Sequence, residues 1–280
     1  MKAGVKSGIA AAVVIGAVLG VWFLWNRIES PRNNVKSGGV MIDVENLSFY
    51  TKSGSITGKV YRPSADTLHR HPTVIWSHGL GESAAKVDEY MKAIAAEGYV
   101  AYAFNFREGR DMSVKTEMED LKAVLEHMKD VRYVDKKKIT LAGDSQGGLV
   151  SALVAIDEAR SVHSLILLYP AFNIPDDGRA RYPKAKDIPD STVVNGVTVG
   201  AAYFKDIRNL NAYKKLSKFK GDVLIIHGNS DTLVPVSVSE NAASAFPSAT
   251  LITIPGAGHG FSGSARKTVI SHITEFLNKE

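Results

Sequence analysis

Three residues in this 280-residue chain have the types needed for nucleophilic acyl transfer. Ser145 lies in Gly143-Asp144-Ser145-Gln146-Gly147, Asp231 in "HGNSDTLVP", and His259 in "PGAGHGF". A serine hydroxyl is a poor nucleophile until a base takes its proton. Histidine is the usual base, and a carboxylate behind it holds the ring and stabilises its charged form. The chain has no cysteine, so no thiolate does chemistry and no disulfide holds the fold. Nothing in the pattern asks for a cofactor or a metal.

Such a mechanism also needs donors for the negative charge that develops on the carbonyl oxygen. The backbone N–H of Gln146, directly after the serine, is one candidate. The other is the N–H of Leu80, behind His78-Gly79 in "SHGLGES". His78 is read as a brace for that loop. His227 is read as a brace for the turn that carries Asp231.

Those residues work only if the chain brings them to one place, so the flanking elements matter. Strand signals occur at residues 40–49, 56–63, 71–79, 99–106, 137–145, 162–170, 222–229 and 249–256. The first two are joined by a Gly-Ser turn at 53–55. Helical spacing follows the third, where Val87, Tyr90, Met91, Ile94 and Ala95 share one face. Further helices are expected over 113–130, 146–156, 237–245 and 265–277. Alternating strands and helices predict an α/β fold, a mostly parallel sheet covered on both faces. Ser145, Asp231 and His259 then each follow a strand and share one sheet edge. A serine between a strand and a helix, flanked by Gly143 and Gly147, fits a strained elbow that lifts the hydroxyl above the sheet. The order Ser145, Asp231, His259 is that of α/β-hydrolases. Residues 171–220 are far too long for a simple connection. They are expected to be an irregular lid over the strands' carboxyl ends, where open α/β sheets bind ligands.

The first 25 residues read differently. Lys2 and Lys6 precede an uncharged run from Ser7 to Trp25, ending in Trp22, Phe23 and Trp25. As a helix it would be roughly 27 Å long, close to a bilayer's hydrocarbon thickness. "NRIESPRNN" beyond it offers no good cleavage site, which favours an uncleaved anchor over a signal peptide. The expectation is a membrane anchor at 1–25, a linker at 26–39 and a hydrolase domain at 40–280, outside the cytoplasm. Cleavage of the first segment would make the protein secreted. Residues 1–39 carry net charge +4, leaving +1 for the rest, so nucleic-acid binding has no support. Within the domain, residues 171–220 hold ten Lys or Arg and five Asp. That excess reads as a solvated surface, with a basic face for anionic lipid or an acidic substrate as the alternative.

With these residues placed, the chain from about residue 40 onward resembles the α/β-hydrolases of the serine-aminopeptidase-like group. It is most similar to the bacterial cinnamoyl (feruloyl) esterases. The pieces that carry the resemblance are "SHGLGES", "FNFREGRDMS", "AGDSQGG", "YPAFNIPDD", "HGNSDTLVP" and "GAGHGF". The resemblance implies a serine esterase with a small inserted domain over the site. It also implies that Asp176 or Asp177, and Tyr203, help hold the acyl group. "FNFREGRD" stands where Arg-Gly-His-Gly is usual, and a membrane anchor is not typical of that group. The implied partner is a small-molecule ester. A peptidase, an acyltransferase and a lipid-ester hydrolase use the same machinery, and a binding protein on this fold is the remaining alternative. The oligomeric state is left open.

Overall fold

The computed structural model describes residues 33–280 apart from 53, 65–68, 108, 110 and 111. Nine strands form the main sheet. In chain order they are β1 (Asn33–Ser37), β2 (Val40–Thr51), β3 (Gly54–Pro63), β4 (His71–Ser77), β5 (Val100–Asn105), β6 (Val134–Asp144), β7 (Ser164–Leu168), β10 (Val223–Gly228) and β11 (Ala249–Ile254). Their order across the sheet is β1-β2-β3-β5-β4-β6-β7-β10-β11. The pairs from β5 through β11 are parallel, and β1, β2 and β3 extend the sheet as antiparallel strands. Every residue of β7 and β10 is buried, as expected for strands covered on both faces.

The helices supply that cover. One face carries α1 (Asp88–Ala96) and α7 (Gly263–Leu277). Tyr90, Met91 and Ile94 of α1 and Val269 and Ile273 of α7 pack there with Val74, Trp76 and Ile226. The other face carries α2 (Val114–Lys129), α3 (Gln146–Asp157) and α6 (Val236–Ala245). Leu121, Leu125, Leu149 and Ala242 there close over Ile75, Leu141 and Ile225. This is the α/β-hydrolase fold with a mostly parallel central sheet.

Two regions differ from expectation. Residues 33–37, read as linker, form the edge strand β1 and pair with β2 from Asn33 opposite Val44 to Ser37 opposite Val40. Residues 171–220, read as an irregular lid, are built from regular pieces. They contain α4 (Ile174–Arg181), a hairpin of β8 (Ser191–Val194) and β9 (Val197–Gly200), and α5 (Ala201–Ile207). The hairpin turns on Asn195 and Gly196, both at positive φ (48° and 82°). Asn-Gly favours that two-residue turn because its geometry matches the strands' twist. Ile188, Val199, Tyr203 and Phe204 give this insertion its own small core.

Nor is the insertion's charge simply solvated. Arg179 donates to the carbonyls of Arg208 and Leu210, and Arg208 donates to those of Tyr182 and Pro183. Arg181 donates to Thr192 and the Val193 carbonyl. These arginines tie the insertion together. Among the described residues no helix is long and apolar enough to cross a membrane. The segment proposed as an anchor, residues 1–25, lies outside the described residues.

Candidate active site

Strand β6 ends at Asp144 and α3 begins at Gln146, so the whole turn falls on Ser145. Its backbone sits at φ 51°, ψ −120°. A side chain there is strained, and only the surroundings can hold it. The Ser145 N–H donates to the Leu168 carbonyl at 3.0 Å. Its own carbonyl accepts from the N–H groups of Gly148, Leu149 and Ala171. The flanking glycines make the turn possible. A Cβ on Gly143 would stand 2.4 Å from the Gly147 oxygen, and one on Gly147 would stand 2.2 Å from the Ser77 oxygen.

The structure brings Ser145, His259 and Asp231 together. His259 Nε2 is 3.0 Å from Ser145 Oγ, and His259 Nδ1 is 2.7 Å from Asp231 Oδ2. With Nδ1–H donating to the carboxylate, Nε2 is left to accept from the serine hydroxyl. Asp231 is buried and fully engaged. Its Oδ1 accepts the N–H groups of Leu233 and Val234, each at 2.9 Å. The Nε2–H of His227 lies 2.9 Å from the Val234 carbonyl and 3.2 Å from Asp231 Oδ2. His227 Nδ1 then accepts from Ser239 Oγ at 2.6 Å. Burial lowers the pKa of His227, so it braces the turn as a neutral ring. Tyr169, with φ 36°, sets its ring edge-on to His259 at 4.7 Å.

The loop after β4 completes the wall opposite. His78 donates from Nδ1 to the Gly79 carbonyl at 2.8 Å and accepts the Phe106 N–H at Nε2 at 3.2 Å. Both ring nitrogens are used in bracing. A Cβ on Gly79 would be 3.2 Å from that of Ser145, so this loop passes tightly over Ser145. Leu80 follows and lines the same cavity as Ser145 and Gln146. The Gln146 N–H belongs to the first turn of α3, where backbone donors have no helical acceptor.

That cavity has a volume of about 210 Å³ and extends beneath the insertion. Asp177 and Tyr203 line it, with Leu233 at its rim. Asp177 accepts from Asn173 Nδ2 at 2.6 Å. Asp176 does not line it; its exposed carboxylate pairs with Arg179 one turn along α4. No group of His, Cys, Asp or Glu among the described residues is arranged to hold a metal ion.

Two buried carboxylates close to the serine escaped the sequence reading. Asp144 accepts from Trp76 Nε1 at 2.8 Å, and burial raises its pKa. Glu117 on α2 accepts from the side chain of Gln146. In sequence each is one acid among 29, and only the fold shows that it is buried near Ser145.

Fold and site together define an α/β-hydrolase with a serine, a histidine and an aspartate in one hydrogen-bonded line. A sequence model of the prolyl oligopeptidase family matches residues 91–280, and the chain belongs to that family. Among solved structures it is similar to Est1E from Butyrivibrio proteoclasticus, at 22% identity and TM-score 0.72, over 89% of this chain and 98% of that one. Est1E has also been solved with ferulic acid bound. An esterase from Pyrobaculum calidifontis is 25% identical with TM-score 0.65, over 83% of this chain and 84% of that one. A monoacylglycerol lipase from Paleococcus ferrophilus is 18% identical with TM-score 0.58, over 75% of this chain and 96% of that one. The chain is a hydrolase of the esterase, lipase and peptidase type.

Proposed function

We propose that the protein is a serine carboxylic-ester hydrolase with Ser145, His259 and Asp231 as its catalytic triad. The observation that carries this reading is the line from Asp231 through His259 to Ser145, at 2.7 and 3.0 Å, opening into the cavity. Ser145 Oγ attacks the ester carbonyl as His259 Nε2 takes its proton. The N–H groups of Gln146 and Leu80 receive the oxyanion. His259 returns the proton to the leaving alcohol, and Asp231 stabilises the ring while it is charged. Water then attacks the acyl-enzyme by the same route, with His259 as base. The acyl group rests beneath the insertion, against Asp177 and Tyr203. An aromatic acyl group such as a hydroxycinnamoyl is supported by the resemblance to Est1E, which binds ferulic acid. An amide substrate is the second reading, supported by the prolyl oligopeptidase family match. The uncharged run at residues 7–25 supports a membrane-held enzyme, and its short N-terminal flank, left inside, puts the catalytic domain outside the cytoplasm.

The test pairs a fluorophosphonate probe with a panel of aliphatic esters, aromatic esters and an aminoacyl amide. Wild-type protein should be labelled, and Ser145→Ala should not. Ester turnover should fall by about a million-fold in that variant. Near-wild-type hydrolysis by Ser145→Ala would refute the mechanism, and preference for the amide would favour the peptidase reading.

A further inference from the structure

A buried hydrogen-bond chain runs from α2 through the residue after the nucleophile to the insertion. Both carboxylate oxygens of Glu117 lie 2.8 Å from Gln146 Nε2. The other end of that amide, Gln146 Oε1, accepts from the hydroxyl of Tyr203 at 2.7 Å. All three side chains are buried, and Gln146 and Tyr203 line the cavity. Among the described residues, no lysine or arginine pairs with Glu117.

The surrounding charges are few. On its own helix Glu117 faces Asp120, and Arg107, from the loop after β5, holds that neighbour through its side chain and its N–H. From α3 comes only the neutral Gln146. From α5 come Tyr203 and Asp206, and Asp206 is occupied by Ser113 Oγ at 2.6 Å. Asp177 of α4 bears on Tyr203. Burial and the Asp120 charge push Glu117 up to about 8, against the pull of the Gln146 bond. Its proton is therefore gained and lost within the working range of an enzyme, whereas Tyr203, pushed up by burial, stays protonated.

We propose that Glu117 is a specificity-determining positioning residue, whose proton sets the direction of the Glu117–Gln146–Tyr203 chain and so decides whether Tyr203 offers the substrate an acceptor or a donor. The proposal rests on the reading of the cavity as the substrate site. With Glu117 ionised, the carboxylate can only accept, so Gln146 must turn its NH₂ toward it. Gln146 Oε1 then accepts the hydrogen bond of the Tyr203 O–H, and the tyrosine presents only lone pairs to the cavity. With Glu117 protonated, its O–H needs an acceptor. A half-turn of the nearly symmetric amide supplies Oε1 to the acid and Nε2–H to the Tyr203 oxygen. The Tyr203 O–H is then released toward the cavity. One proton from solvent reverses every bond in the chain, and no other bond is made or broken.

The experiment compares two esters whose acyl groups differ only in ending with a non-ionising alcohol or its methyl ether. The ratio of their kcat/KM values is followed from pH 6 to 9.5 with the full chain. Taking the ratio cancels every pH effect on the catalytic steps that both substrates share. In wild-type protein the ratio should shift toward the alcohol as pH rises through about 8. The change should be about two- to tenfold, the worth of one hydrogen bond, and should appear mainly in KM. Glu117→Gln should hold the ratio constant across the range, and so should Tyr203→Phe, which tests the other end of the chain without touching the buried acid. A flat wild-type ratio, or a wild-type slope in either variant, would overturn the role of Glu117. Fluorophosphonate labelling of wild-type protein separates the failures. Labelling with a flat ratio overturns this inference alone, whereas absence of both labelling and ester hydrolysis overturns the esterase reading with it.

Discussion

Ser145 should be a place where glycine is more stable than alanine. At an ordinary site the reverse holds, because glycine costs roughly 0.5–1 kcal/mol relative to alanine in backbone entropy. Ser145 sits at φ 51°, ψ −120°, a conformation that a Cβ makes unfavourable by about 1–3 kcal/mol. Ser145→Ala and Ser145→Gly both lose the 3.0 Å hydrogen bond to His259, so that loss cancels between them. What remains is relief of strain less the entropic cost, or up to roughly 2.5 kcal/mol in favour of glycine. For a domain of this size that is a rise in Tm of about 2–4 °C per kcal/mol. The measurement is urea and thermal unfolding of the two variants side by side, with the urea slope checked for equality. Neither variant should hydrolyse ester. If Ser145→Gly proves less stable than Ser145→Ala, the elbow is not strained and the fold does not force Ser145 into position.

Three further outcomes can be checked. Asp231→Asn should keep its oxygen on the Leu233 and Val234 N–H groups and so turn its NH₂ toward His259 Nδ1. That selects the wrong tautomer, and kcat should fall by about ten-thousand-fold, with little change in unfolding. An equal loss on changing Glu240 instead would place the acid elsewhere. The raised pKa of Glu117, about 8 against an ordinary 4.5, means the folded chain holds that proton more tightly than the unfolded chain. Its contribution to stability is complete below about pH 4.5 and is lost as pH rises through about 8. Glu117→Gln should therefore lose less stability than wild type between pH 6 and 9, as read by urea midpoints. Full-length protein should stay in the membrane fraction after a wash in about 1 M salt, because an apolar segment is not released by screening. Release by salt would favour peripheral attachment.

The linear order of chemistry was legible from the chain alone. Apolar runs alternating with 3.6-residue periodicity announced a covered parallel sheet, because such strands and helices have distinct patterns. The glycines around Ser145 announced the elbow, since a turn that tight leaves no room for a Cβ. Ser145, Asp231 and His259 each follow a strand signal, and parallel strands present all such positions at one edge. The hairpin at residues 191–200 is also written locally, in Asn195-Gly196, although its four-residue strands are too short to carry a clear period-2 signal. Strand β1 could not be read in this way, since its pairing with β2 depends on a neighbour rather than on its own short polar sequence. The same holds for the acids. Whether Asp176 or Asp177 meets the cavity depends on how α4 sits over it, since adjacent helical positions point about 100° apart. Glu117 looks like any charged residue on an amphipathic helix. Only the packing of α2 against α3 and α5 removes it from water and leaves an amide and a tyrosine as its company. Sequence determines which groups exist and in what order. Tertiary structure alone decides which of them lose their solvent, and loss of solvent is what turns an ordinary carboxylate into one that titrates near neutrality.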